Sequence, residues 1–173
     1  SHTTQKLVRI PLHLDIFVRA LEGRPSRVVS ATDIQGVGSL QELYHALWRN
    51  VVLKPTLGGP SPSKRADVLR RMTQYMDQKQ KTAVPQSLFL TPETEHLNRA
   101  VSWLASEGIL LATATEWSLM HQTFFDYCYA KQFVEDGMCL TETILASEQS
   151  IYQRPQLLHV LSYLRASSPA DYL

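Results

Sequence analysis

Two short apolar runs, separated by two residues, constrain the fold of this chain most strongly. They span residues 109–113 and 116–120, with Ala114-Thr115 between them. Each run has the length of a strand rather than of a helix, and Gly108 stops the helix expected before the first run. The pattern predicts a two-stranded β-hairpin, although its turn lacks the Asn-Gly or Asp-Gly that hairpins favour.

Helical patterns surround this hairpin in a defined order. Residues 64–81 carry an apolar stripe on one face. Residues 91–93 (Thr-Pro-Glu) give a strong helix start, because threonine caps, proline fits the first turn and an acid favours the helix dipole. Another helix is expected over about 121–136, whereas 82–90 is ambiguous. The order from residue 64 is thus helix, short element, helix, two-stranded wing and helix. Three helical elements followed by a wing are typical of a winged helix, which we predict over residues 64–137.

A further helical unit precedes this pattern. Ser39 and Glu42 form a capping box, and apolar residues follow at helical spacing: Leu40, Leu43, Tyr44, Leu47, Trp48 and Val51. The next stretch, KPTLGGPSPS, contains three prolines and two glycines, which indicates a boundary. We predict a mainly α chain: a small helical domain over 5–54, a linker over 55–63, the winged helix, and the start of a C-terminal helical array over 138–173.

Composition and charge exclude several classes of protein. The chain is 44% hydrophobic with a formal net charge of +1, which excludes an intrinsically disordered chain. The net charge gives no general argument for nucleic acid as a partner. No apolar stretch is long enough to span a bilayer, so we expect no membrane partner. Two cysteines form no disulfide framework in a chain of this size, which fits a reducing, cytoplasmic location.

The sequence lacks the common motifs of enzymes. There is no G-x-x-x-x-G-K-[ST] phosphate loop, no H-E-x-x-H, no C-x-x-C and no G-x-S-x-G. Cys128 and Cys139 lie eleven residues apart without a nearby histidine pair, which argues against a zinc site. We therefore expect no self-contained enzyme, no metal and no cofactor bound by this chain alone.

The segment from Leu119 to Phe133 carries a family resemblance. A strand that ends in Met120-His121, followed by a helix that opens with aromatic residues, resembles the winged-helix end of STAND-class NTPases, the NACHT and NB-ARC signalling ATPases. Met120-His121 matches the first two residues of their Met-His-Asp-type motif, and Gln122 replaces the usual aspartate. Upstream, Pro11 within RIPLHL resembles the proline-headed start of the helical domain that follows their ATPase core.

The resemblance implies a regulatory role rather than catalysis. In that family the histidine reaches the β-phosphate of bound ADP and holds the inactive state, and the proline packs near the adenine. The implied cofactor-binding residues are His121 and Pro11, and the implied ligand is ADP or ATP in a parent protein. The implied partners are an upstream ATPase core and a downstream sensor domain of the same chain. The bland alternative is that His121 caps its own helix or satisfies a half-buried polar site.

Two other functions remain open at this point. A winged helix suggests a DNA-binding regulator, but the expected recognition helix, 92–107, carries three acids against Arg99; a major-groove helix needs the opposite charge. Residues 64–81 carry six Lys and Arg, which we interpret as a solvated face or a partner for the acidic C-terminal half. The other alternative is a plain protein-interaction module.

Overall fold

The computed structural model describes residues 39–138 and 154–167, together with the single positions 16, 18 and 142. Its helices are α1 (Leu40–Leu47), which continues as a π-helix over Trp48–Val52, α2 (Pro62–Lys79), α3 (Asn98–Ser106), α4 (Gln122–Glu135) and α5 (Arg154–Ser167). Its strands are β1 (Ala83–Pro85), β2 (Leu110–Ala112) and β3 (Glu116–Leu119), and 3-10 turns span Gln86–Phe89 and Glu95–Leu97. The described chain is therefore mainly helical with a small antiparallel sheet.

The capping box at the start of α1 is confirmed. The Ser39 backbone N–H donates to the Glu42 carboxylate at 3.0 Å, and the Glu42 N–H donates to the Ser39 hydroxyl at 3.2 Å. Two N–H groups that the helix itself leaves unpaired are thus satisfied. The apolar stripe that follows packs into the core, where Leu43, Tyr44 and Leu47 are almost fully buried.

The small sheet has three strands, one more than the predicted two-stranded wing. The strand order is β1-β3-β2, with antiparallel pairing throughout. The added strand comes from the ambiguous segment 82–90, and its Val84, fully buried, lies opposite Trp117. A three-residue strand gives no periodic signal. It exists because Val84 reaches the core and because β3 offers a free edge, where Pro85 is tolerated.

The predicted hairpin between β2 and β3 is confirmed, and threonine supplies its turn chemistry. The Thr113 N–H donates to the Glu116 carbonyl at 2.9 Å, while the Glu116 N–H donates to the Thr113 hydroxyl at 3.1 Å. This side-chain contact closes the loop without Asn-Gly. Gly108 enters the hairpin with a φ of +67°, a conformation that glycine adopts without steric cost.

The helix expected from residue 92 begins six residues later, at Asn98. Thr94 is buried, and its hydroxyl donates to the Leu88 carbonyl at 3.0 Å. The backbone of Thr91 accepts from Glu95 at 2.8 Å, and a short 3-10 turn then leads into α3. Threonine competes for backbone partners in this way and delays a helix despite good starting signals. The predicted apolar side of this helix is confirmed, because Leu97, Val101 and Leu104 are buried.

Helix α4 lies at the centre of the described core. Its buried residues are Phe124, Phe125, Asp126, Tyr127, Cys128, Ala130 and Phe133. Tyr44 of α1 packs against it, with its ring centroid 5.3 Å from Phe124 and 5.7 Å from Tyr127. Tyr163 of α5 meets Tyr127 edge-on at 5.8 Å. Helices from both sides of the predicted winged helix therefore cover α4.

Arg65, on α2, is fully buried, so the solvated-face interpretation of residues 64–81 is wrong at this position. Its guanidinium donates to the carbonyls of Val51 and Lys54 at 2.8 and 2.7 Å. The same group lies 4.2 Å above the centre of the Trp103 ring, within cation–π range. Arg65 thus joins the segment before α2 to both α2 and α3.

Three further predictions are not decided by the fold. The proline-headed helix near Pro11 and residues 139–153 of the predicted C-terminal array lie outside the described residues, apart from the single positions 16, 18 and 142. The domain boundaries at 5–54, 55–63, 64–137 and 138–173 remain predictions. None of the helices in the described ranges is both long and apolar enough to cross a membrane.

Candidate functional site

His121 occupies the N-cap position of α4, directly after the hairpin. Its backbone is extended, with φ −162° and ψ 151°, and its side chain is exposed. The Thr123 backbone N–H donates to His121 Nδ1 at 3.2 Å. An imidazole nitrogen thus performs the task that a serine or aspartate oxygen usually performs at this position. The alternative that His121 caps its own helix is confirmed, and the ring is also exposed to solvent.

A chain of hydrogen bonds connects His121 to helix α1. The Thr123 hydroxyl lies 2.9 Å from His121 Nδ1, and the Tyr44 hydroxyl lies 2.5 Å from the Thr123 hydroxyl. Tyr44 is 1% exposed. Burial raises the pKa of Tyr44 to about 12, because the phenolate would lose its hydration. The phenol therefore keeps its proton and serves as a donor at neutral pH.

A buried carboxylate lies one turn further along α4. Asp126 is 6% exposed, and its Oδ2 lies 3.4 Å from Nε2 of His159 on α5. Burial raises the pKa of Asp126, while His159, a hydrogen bond from Gln122 and the nearby His121 act in the opposite direction. We call Tyr44, His121, Thr123, Asp126 and His159 the α4 polar cluster. It brings α1, α4 and α5 together around the first turns of α4.

The sequence identified one member of this cluster. His121 was singled out, whereas its partners were not, and Pro11 lies outside the described residues. Asp126 had a usable signal, because a carboxylate within the run Phe124-Phe125-Asp126-Tyr127 falls among apolar side chains. Tyr44 and His159 had none, since only packing brings residues so distant along the chain to one turn of α4.

The cluster offers hydrogen bonding rather than covalent chemistry. Within the described residues, no group of three or more His, Cys, Asp or Glu side chains is placed to hold a metal ion. Cys128 is free and buried, and burial raises its pKa, so the thiol rather than the reactive thiolate is present at neutral pH. His121 is the exposed member of the cluster, and an imidazole can donate or accept a hydrogen bond.

Asp126→Asn is expected to change how stability depends on pH. Because the folded carboxyl holds its proton to higher pH than the unfolded one, the native state binds more protons in that window, and the free energy of unfolding falls as pH rises through it. Asparagine stays neutral, so the stability of the variant relative to the parent chain should increase from acidic to neutral pH. Urea unfolding at both pH values measures this difference.

His159→Gln provides the matched comparison for Asp126. It removes the imidazole that, when protonated, favours the charged carboxylate, so its loss of stability on raising the pH through the titration of Asp126 should be steeper than that of the parent chain. A stability difference between Asp126→Asn and the parent chain that does not vary with pH contradicts this account of the buried carboxyl.

Comparison with known proteins adds no identification to this geometry. No protein-family model matches the sequence, and no curated protein or solved structure matches it significantly.

Proposed function

We propose that this chain is a non-catalytic regulatory part of a STAND-type, NACHT-like signalling ATPase, in which His121 contacts a phosphate of ADP in one conformational state. The observation that carries the proposal is the exposure of His121 at the start of α4, where Nδ1 accepts the capping bond. A neutral imidazole that accepts at Nδ1 carries its proton on Nε2. Nε2–H is then a donor that a phosphate oxygen can accept from.

The surroundings of His121 support a coupling role. Tyr44 belongs to the predicted helical domain and His159 to the predicted C-terminal array, and both contact the first turns of α4. A ligand that binds one arrangement of these elements more tightly shifts the population toward it. In this proposal the contact at His121 is made in one arrangement and lost in another, as a nucleotide-dependent switch requires.

The free energy of one hydrogen bond from His121 is large enough for a conformational switch but too small for a complete nucleotide-binding site. A hydrogen bond to a charged group contributes about 1.5–3 kcal/mol. That is enough to bias a two-state equilibrium by roughly one to two orders of magnitude, but it is too little to retain a nucleotide alone. In this proposal the upstream core of the parent protein supplies the remaining contacts to ADP or ATP, and this chain hydrolyses no ATP by itself.

The acidic charge held against DNA binding is not on α3, but α3 gives that alternative no positive support either. With the helix beginning at Asn98, Arg99 is its one charged residue, since the three acids counted earlier fall outside it. The Arg99 guanidinium donates to the Gly58 carbonyl, so this cation is already engaged within the chain. Nanomolar, sequence-dependent binding of duplex DNA at physiological salt would favour this alternative. The interaction-module alternative has no specific observation in its favour.

Two substitutions at His121 separate its capping role from its ligand role. Asparagine is among the best N-cap residues, whereas alanine caps poorly. His121→Asn should therefore retain the stability of this chain, and His121→Ala should lose about 0.5–2 kcal/mol. Urea unfolding of the 173-residue chain measures both.

In the full-length parent protein, both variants lack the imidazole donor. Both should therefore release ADP faster, by roughly 10- to 150-fold for a lost bond of about 1.5–3 kcal/mol. Stopped-flow displacement of a fluorescent ADP measures the rate. Unchanged ADP release in His121→Asn would mean that His121 is a structural cap and that the proposed function fails.

A further inference from the structure

The direction of every hydrogen bond around His121 follows from one backbone group. The Thr123 N–H can only donate, so His121 Nδ1, at 3.2 Å, must accept and carries no proton. The Thr123 hydroxyl lies 2.9 Å from the same Nδ1. Since Nδ1 has no proton to give, the hydroxyl must donate to it. The Thr123 oxygen then accepts from the Tyr44 hydroxyl at 2.5 Å.

We propose that Tyr44 and Thr123 are positioning residues that hold the imidazole of His121 in the tautomer with its proton on Nε2. They act through His121 and have no contact with a ligand of their own. The result is a relay that runs from a buried phenol through a half-buried hydroxyl to an exposed ring. Its outer end is a fixed hydrogen-bond donor.

The inner end of the relay is rigidly held. Tyr44 is 1% exposed, and its ring packs against Phe124 and Tyr127 of α4. Burial also keeps the phenol protonated, so the relay begins with a donor throughout the neutral range. Because Tyr44 is on α1 and Thr123 on α4, the relay exists only while these two helices are packed together.

The packing of α1 against α4 would therefore regulate the hydrogen-bonding state of His121. If α1 separates from α4, Thr123 loses the donor that orients its hydroxyl, and the backbone bond at 3.2 Å is left as the main constraint on the His121 ring. The meaning of the relay for nucleotide binding rests on the proposed function. The tautomer itself does not, because it can be observed without any ligand.

Nitrogen NMR of the 173-residue chain, labelled with ¹⁵N in histidine, tests the proposal directly. At mildly alkaline pH, the ¹⁵N shifts and long-range couplings of the ring distinguish a protonated from an unprotonated Nδ1. His121→Asn assigns the signals by their loss. We expect His121 to be almost entirely in the Nε2–H form, unlike a freely exposed histidine, which populates both tautomers.

Two variants test the relay residues, and a third serves as the rescue. Thr123→Val and Tyr44→Phe each remove one hydroxyl with little change in shape. The backbone bond to Nδ1 at 3.2 Å remains in both variants, so each should raise the Nδ1–H fraction above that of the parent chain without reaching the mixture of a free histidine. Thr123→Ser keeps the hydroxyl and should restore the parent pattern. A thermal melt of each variant confirms that it is folded; if one is not, the other carries the test.

The outcomes separate this inference from the proposed function. A mixed or Nδ1–H state in the parent chain overturns the inference, as does a tautomer that neither Thr123→Val nor Tyr44→Phe alters. Suppose that the tautomer is fixed as expected but His121→Asn leaves the rate of ADP release in the parent protein unchanged. The positioning role of Tyr44 and Thr123 then stands, and the nucleotide role of His121 fails. If the tautomer is not fixed but His121→Asn does speed ADP release, the nucleotide role stands and the positioning role fails.

Discussion

Replacing Arg65 with methionine is expected to destabilise this chain by about 2–5 kcal/mol, because two carbonyl groups then lose their donor and each buried, unpaired acceptor costs about 1–3 kcal/mol. The carbonyls are those of Val51 and Lys54, which Arg65 binds at 2.8 and 2.7 Å. Methionine keeps much of the buried hydrophobic stem, so the loss reports mainly on the hydrogen bonds. Urea unfolding followed by tryptophan fluorescence measures the change, and Trp103 beneath the guanidinium provides a local signal.

Two controls show what part of this effect comes from the planar fork of arginine. Arg65→Lys keeps the charge but lacks the rigid planar fork that directs two N–H groups at the two carbonyls, so it should recover only part of the stability. Arg71→Met removes a half-exposed arginine that pairs with Asp67 at 3.2 Å, and it should cost at most about 1 kcal/mol. If Arg65→Met is no more harmful than Arg71→Met, the guanidinium does not clamp the chain in solution.

Leu104→Ala is expected to cost about 2–5 kcal/mol, since a fully buried leucine leaves a cavity when it is truncated. Phe125→Ala should cost about 3–5 kcal/mol for the same reason. The matched control is Leu111→Ala on β2, where the leucine is 49% exposed and the change should stay within about 0.5 kcal/mol. Chemical denaturation of the three variants with a common slope gives the comparison.

This series also places His121 on a scale of stability. His121→Ala removes a cap from the surface and should fall well below both core truncations. If Leu104→Ala and Leu111→Ala prove equally mild, α3 is not packed into the core as described. If His121→Ala proves as damaging as Leu104→Ala, the histidine has a structural role larger than a cap.

The sequence by itself determined the elements whose signals lie within a few residues. The capping box of Ser39 and Glu42, the hairpin around Ala114-Thr115 and the start of α4 at His121 each depend on hydrogen bonds between near neighbours. Such contacts form independently of the tertiary packing around them, so residue type and spacing are enough to predict them. The mainly helical fold class followed from these elements and is confirmed.

Local signals failed where a distant partner outweighed them. Good starting residues at 91–93 did not begin α3, because Thr94 is buried and bonds to Leu88 instead. Strand β1 has too few residues for a pattern and depends on the free edge of β3. Arg65 reads as a surface cation in sequence, yet the carbonyls of Val51 and Lys54 and the Trp103 ring hold it inside.

The candidate site also has one part that the local sequence predicts and another that depends on tertiary packing. His121 could be chosen from the sequence because Met120-His121 resembles the start of a family motif, and such a motif lies within a few residues. The arrangement that fixes its proton could not, because Tyr44 reaches Thr123 across 79 positions of the chain, and His159 reaches Asp126 from another helix. A side chain's hydrogen-bonding state depends on which groups packing places beside it. The sequence therefore singled out His121 as a candidate residue, and the tertiary structure decided which groups surround its ring nitrogens.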